Sequence, residues 1–328
     1  MAWTPTGNES VGHTGVTLTK GRDPSNTHEI QKALLRELQR RLREVRGAIR
    51  RTVGYENDAL RLSPNVDDTE AYDFPTQDAR VQAFIRELRS WLREAIVGEA
   101  TSTTQIRSGD HWISEYVDSA YQVGASAAEG RLMQAGLGIE ASDPEDLLRR
   151  PVAQRQLADI YARAFENLQG VADDAAQQLR ETLTGGVAKG LNPRDMAAAL
   201  NKELDSIERS RLSTIARTEV VRSHSQAALN VYQSNDASVV SHTERLTSAD
   251  ASVCAFCRAL GDVPFTLSEF QSVAVSWGGQ PHQIGIPAHP GCRCSPVPAI
   301  GLDDDDLDAL DERIPNSAGG KPITILST

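Results

Sequence analysis

All four cysteines of this 328-residue chain fall between positions 254 and 294, in Cys254-Ala-Phe-Cys257 and His289-Pro-Gly-Cys292-Arg-Cys294. Two ligands separated by two residues let one tight turn aim both side chains at a single ion. The N–H groups of that turn are then free to hydrogen-bond to the thiolates. Pro290 and Gly291 supply what such a turn needs at its middle, a fixed φ followed by freedom for a positive one. Cys254, Cys257, His289 and Cys292 together make a tetrahedral zinc set. Cys294 is a fifth candidate, so one of His289, Cys292 and Cys294 is spare at a four-coordinate site. The competing readings are two disulfides or free buried thiols. Crowding every cysteine into paired turns, with a His at knuckle spacing, favours the metal. A closed site of this kind is structural, and in zinc-finger peptides it contributes about 10–16 kcal/mol of apparent binding free energy. A catalytic zinc keeps an open position beside a general base. Glu269 and His282, read as loop residues, are not offered for that role, so no enzymatic turnover is expected.

The clustered thiols fit a reducing cytoplasm, where such cysteines bind metal more often than they pair. No run of the sequence approaches the roughly eighteen apolar residues that a membrane span needs, and Met1 to Lys20 lacks the apolar core of a secretory signal. Net charge is −11, which argues against wholesale wrapping of nucleic acid. The cations are lopsided: five are Lys and 29 are Arg. A high-salt cytoplasm and a GC-rich genome both account for that bias.

Residues 1–25 lack periodicity and read as an extended arm. From Ile30 the pattern is helical, with Leu34, Leu38, Leu42, Val45 and Ile49 spaced by threes and fours. The polar face of this helix carries Lys32, Arg36, Arg40, Arg41, Arg43, Arg46, Arg50 and Arg51 against Glu37 and Glu44. It reads as a solvated amphipathic face or as a contact for an acidic partner or DNA phosphate. A loop over 54–75 precedes a second helix capped by Thr76. Further helices are expected over 110–135, 152–184, from Asn192-Pro193 to about Leu204, and over 208–233. Asn192 is placed as an N-cap, Pro193 at the first helical position and Asp195 in the first turn. The first 235 residues therefore read as almost wholly helical. Beyond them, Val239-Val240, Val263 to Phe265 and Val297 to Ile300 read as short strands. Asp303 to Asp311 is an acidic solvated linker, and Ile323 to Leu326 is a strand for this protein or a neighbour. The fold class is mainly α, a helical N-terminal region followed by a small α+β zinc-knuckle module. Its divisions are 1–25, 26–185, 186–300 and 301–328.

Three features in order carry a resemblance: the Gly190-Leu-Asn-Pro-Arg-Asp195 turn, Ile215-Ala-Arg-Thr-Glu219 on a long helix, and Thr247-Ser-Ala-Asp250 running into the cysteine knuckles. Over about 185–298 the chain resembles the Mu F-like head-morphogenesis (minor head) proteins of tailed phages and their archaeal counterparts. A Trp often stands before the Thr-x-x-Asp segment in that family, whereas here the strand reads Ser241-His242-Thr243-Glu244. The resemblance implies a virion protein in few copies inside the head, bound at the portal vertex. It acts in head assembly or genome delivery, with the portal protein as partner and packaged DNA or the major capsid protein as further contacts. Residues 26–185 would then be the portal-associating domain. Arg217 and Glu219, two apart, face different sides of their helix. Glu219 reaches Arg222, and this helix is expected to dock on the knuckles by hydrogen bonds. Two other classes follow from the same residues. One is an ADP-ribosyltransferase-like enzyme using Arg217 and Glu219, for which no Ser-Thr-Ser strand or Glu-x-Glu turn is legible. The other is a zinc-dependent DNA-binding protein using the basic helix.

Overall fold

The computed structural model describes residues 9–11, 17–19, 23–54, 58–62, 76–98, 102–137, 139, 142–235, 240–248, 251–300, 302 and 309–326. Strands β1 (Glu9–Val11) and β2 (Thr17–Thr19) form an antiparallel hairpin, where a featureless arm was expected. The helices that follow are α1 (His28–Ile49), α2 (Gln77–Leu92), α3 (Thr103–Arg107), α4 (Ser114–Gln134), α5 (Pro144–Arg149), α6 (Pro151–Ala188), α7 (Pro193–Ile207) and α8 (Ser213–Gln233). Beyond them come β3 (His242–Leu246), α9 (Ala255–Ala259), β4 (Phe265–Thr266), α10 (Leu267–Ser272), β5 (Ala274–Trp277), β6 (Gln280–Gln283), β7 (Ser295–Ala299), α11 (Leu310–Arg313), β8 (Ser317–Ala318) and β9 (Lys321–Ile325). The chain is thus mainly helical with a small C-terminal sheet region. Among the described residues no helix is long and apolar enough to cross a membrane.

Two compact units emerge, each assembled from separated stretches of chain. The first takes 32–113 and 161–216, the second 1–31, 114–160 and 217–328. In the first unit the sequence pattern and the core coincide. Leu34, Leu38, Leu42 and Ile49 on α1 are wholly buried, as are Phe84 and Leu92 on α2. Each such side chain contributes about 1.5–3 kcal/mol of apolar transfer. Thr76 caps α2 by accepting from Ala79 N–H, and Asn192 caps α7 by accepting from Asp195 N–H. Helix α2 ends in a π-helical turn over Arg93–Val97. The orphan carbonyl of Val97 is taken by His111 Nε2 at 2.5 Å and Trp112 Nε1 at 3.2 Å. That duty holds Trp112 in a turn, so α4 begins later than its aromatic stripe predicts. A second π-helical turn, Glu208–Leu212, joins α7 to α8.

The arginine face of α1 is less open than its sequence implies. Arg40 pairs with Glu37 and Glu44. Arg41, half-buried, pairs with Glu37 and lies 4.2 Å over the Trp112 ring. Arg46 is clamped by Asp205 and Glu208 at 2.6 and 2.5 Å. Arg36, Arg43, Arg50 and Arg51 remain exposed.

In the second unit α4 and α8 cross in close contact. A Cβ on Gly124 would lie 2.1 Å from the His224 carbonyl oxygen, so only glycine lets the two backbones approach. Ser223 Oγ donates to Val117 O at 2.6 Å and Asn230 Nδ2 to Tyr121 Oη at 2.9 Å. Arg131 reaches Pro296 O at 2.9 Å and Ser295 Oγ at 3.3 Å, tying α4 to β7. The sheets are antiparallel, in the orders β4-β3-β7 and β6-β5-β9-β8. The central strand β3 starts downstream of the expected Val239-Val240. Val239 lies outside the described residues, and so do Asp303 to Asp306 and most of the loop over 54–75. The C-terminal Ile323 to Ile325 joins β5 of its own chain.

Candidate metal centre

The first knuckle is built by a helix start. Cys254 is the N-cap of α9, and its Sγ accepts from Cys257 N–H at 3.3 Å. A helix N-terminus with free N–H groups favours a thiolate there. The second knuckle is the turn His289 to Cys292, closed by Cys292 N–H donating to His289 O at 3.2 Å. Gly291 sits at φ 75°, a conformation any side chain would strain. Its N–H donates to Thr218 Oγ1 on α8 at 2.9 Å. The helix thus docks on the knuckles through Thr218. Glu219, one residue along, is buried with its carboxylate 3.8 Å from Arg222 Nε, the i+3 reach read from the sequence.

The five predicted ligand residues come together. Cys254, Cys257 and His289 form one convergent group and Cys257, Cys292 and Cys294 another, each with its ligand atoms within 4.8 Å of one another. His289 Nε2 lies 3.2 Å from Cys254 Sγ and 3.4 Å from Cys257 Sγ, and Cys257 Sγ lies 3.9 Å from Cys292 Sγ. A tetrahedral zinc with Zn–S near 2.3 Å and Zn–N near 2.0–2.1 Å separates its ligand atoms by about 3.5–3.8 Å. The spacing therefore fits a metal. It does not fit a disulfide, whose sulfurs bond at about 2.05 Å, and all four cysteines are free. His289 Nδ1 faces Pro290 O at 2.9 Å. Placing the ring proton there leaves the Nε2 lone pair aimed at the thiols, as metal-bound histidines are usually held.

The electrostatics match this picture. Hydrogen bonding from Cys257, then from His289, brings the Cys254 thiol down to about 4. Cys292 is also held well below the thiol range, chiefly by Cys257 and Cys294. Cys257 is pushed up, first by its hydrogen bond to Cys254 and then by that to Cys292. His289 rises to about 9 because Cys254 accepts from its ring. Protons here are shared among ligand atoms in close contact, which is the arrangement a cation replaces.

Two residues differ from their expected settings. His282 lies in β6, its ring 4.9 Å from Phe256, 5.2 Å from Trp277 and 5.9 Å from His289. Glu269 forms the capping box of α10 with Thr266 and is bridged by Arg313 at 2.8 and 3.0 Å. Both are engaged structurally, in a strand and a helix, where loops were expected. One residue escaped the sequence reading. Arg245, wholly buried on β3, points Nη1 at Cys257 Sγ (3.6 Å) and Cys292 Sγ (4.0 Å). Nothing in its neighbours' types marks it; only the strand register brings it to the thiols.

Residues 177–297, from within α6 to within β7, match the family model described as Phage Mu protein F like protein. The matched segment encloses Asn192, Thr218 and both knuckles. No curated protein and no solved structure matches the chain.

Proposed function

We propose, from the match of residues 177–297 to the family model described as Phage Mu protein F like protein, that the chain is a minor head protein of a tailed virus. It sits inside the head at the portal vertex and acts in head assembly or genome delivery. Its C-terminal module is held by a structural zinc on Cys254, Cys257, His289 and Cys292, with Cys294 alongside. The observation that carries this reading is the family segment itself, with the helix bearing Thr218 anchored to the second knuckle at 2.9 Å. The centre is a staple by this reading, and no turnover is expected. An ADP-ribosyltransferase-like use of Glu219 is disfavoured by its burial and its pairing with Arg222.

The portal contact is assigned to the exposed side of α1. Arg36, Arg43 and Arg50 recur every seven residues, so they share one face. Arg40, Arg41 and Arg46 are spent on internal pairs, which leaves too few free cations on this helix for broad phosphate contact. An acidic portal surface therefore suits the face better than DNA does, and the major capsid protein is the remaining partner. Reversing Arg36, Arg43 and Arg50 to Glu should give heads that lack this protein. Heads retaining it in normal amount would show that α1 is not the anchor. Salt separates the partners: contact with six or more phosphates weakens about a thousandfold or more between 50 and 200 mM salt. A partly buried protein contact weakens far less.

A further inference from the structure

Arg245 brings a permanent positive charge into the core of β3. A guanidinium keeps its proton under any folding condition, and its side chain here is wholly buried. Burying such a charge costs several kcal/mol unless a counter-charge and hydrogen bonds meet it. Nη2 donates to the carbonyls of Ile284 and Gly285, the second at 3.2 Å. The guanidinium also lies 6.0 Å from the Phe270 ring. Carbonyls and a ring satisfy donors, yet carry no net charge. Among the described residues no carboxylate pairs with Arg245. The groups able to carry negative charge beside it are the sulfurs of Cys257 and Cys292 at Nη1, with Cys294 also against the guanidinium.

We propose that Arg245 is the built-in counter-cation of the metal centre. The proposal rests on the metal reading above. A divalent ion held by three thiolates and one neutral imidazole carries a single net negative charge. The one positive charge of Arg245 brings the buried assembly to neutrality. Four thiolates would leave a negative charge uncompensated in a buried site, where it is costly. The charge balance therefore selects three thiolates with His289 over a set of four thiolates, and leaves one of Cys292 and Cys294, which converge together on Cys257, as the spare thiol. Arg245 is a positioning residue: it touches the thiolates and not the ion.

The test uses the full chain loaded with zinc, and separately with cobalt(II). Zinc release to a chromogenic chelator should be at least tenfold faster in Arg245→Met than in the wild type. Arg245→Lys, which keeps the charge and loses the fork, should recover most of the difference. In the cobalt form, removing the cation raises the energy of the thiolate electrons. The sulfur-to-cobalt charge-transfer band of Arg245→Met should therefore move to longer wavelength, with Arg245→Lys close to wild type. Wild-type protein that takes up neither ion would overturn the metal reading itself. Wild-type protein that binds both, with Arg245→Met releasing zinc at the same rate and its band unmoved, would overturn the role of Arg245 alone. If Arg245→Met does not fold, Arg245→Lys decides: a release rate ten times that of wild type would show that charge is not what the residue supplies.

Discussion

The helical unit over 32–113 and 161–216 and the knuckle region over 242–300 differ in what fills their centres. In the first, wholly buried Leu34, Leu38, Leu42 and Ile49 spread apolar area along a whole helix, so no single contact is decisive. In the second, the central strand buries His242, Thr243, Glu244 and Arg245, with Leu246 its one apolar side chain. Such a strand gains little from transfer to a dry interior. Its neighbours do bury apolar side chains, Phe256, Phe265, Phe270 and Ile284 among them, but the strand's own polar side chains are fixed by polar contacts and by the thiol cluster. Dispersed burial makes a unit tolerant of single changes, whereas a point staple makes a module depend on a few atoms.

The contrast is sharpest at the staple. Cys257 belongs to both convergent groups, so Cys257→Ser should remove the metal and most of the module's order. The loss is on the scale of the about 10–16 kcal/mol seen for structural zinc. Hydrogen exchange should show protection lost across β3 and β7 and kept in α1 and α2. Uniform loss, or none, would erase the distinction. The matching cut in the helical unit is Leu42→Ala, which leaves a cavity under α1 and should cost about 2–5 kcal/mol. Denaturant melts should show a lower midpoint and unchanged metal content.

A third test uses pH. Burial first, and the charge of Arg131 second, push His224 down to about 3. Among the described residues neither of its ring nitrogens has a hydrogen-bond partner. The unfolded chain takes up a proton near pH 6.5 that the folded form refuses. This contribution to stability is therefore full above about 6.5 and is lost progressively as pH falls toward 3. Between pH 6.5 and 4.5 the loss should be about 2 kcal/mol. His224→Leu should flatten that slope, and an unchanged slope would place the titration elsewhere. The smallest stability effect belongs to the surface. Reversing Arg36, Arg43 and Arg50 should change folding stability by less than about 1 kcal/mol while altering partner binding. A large loss of stability would mean that these side chains hold the fold.

What could be read from the sequence divides along the same line. The period of α1 and the caps at Thr76 and Asn192 are local signals, and each appears where expected; the paired spacing of both knuckles is local too, and their five residues converge. The start of β3 was placed early, at Val239-Val240, because two valines look like a strand opening; the burial of His242 to Arg245 is a tertiary effect. Arg46 was counted with an outward face because helical spacing does not reveal Asp205 and Glu208 across the fold, and Arg41 because it does not reveal the Trp112 ring beneath it. Thr218 and Arg245 belong to the site through pairings of distant residues, which spacing does not encode. The hairpin of β1 and β2 has too few apolar residues to announce itself.

The account stands on the claim that the knuckles hold a metal and that the metal holds the module. Elemental analysis of the full chain, purified without chelator or added metal, tests it most directly when paired with thiol counting by mass spectrometry. The predicted result is about one zinc per chain and four unoxidised cysteines. A chain free of metal, with its cysteines oxidised in pairs and the knuckle region still folded, would contradict it.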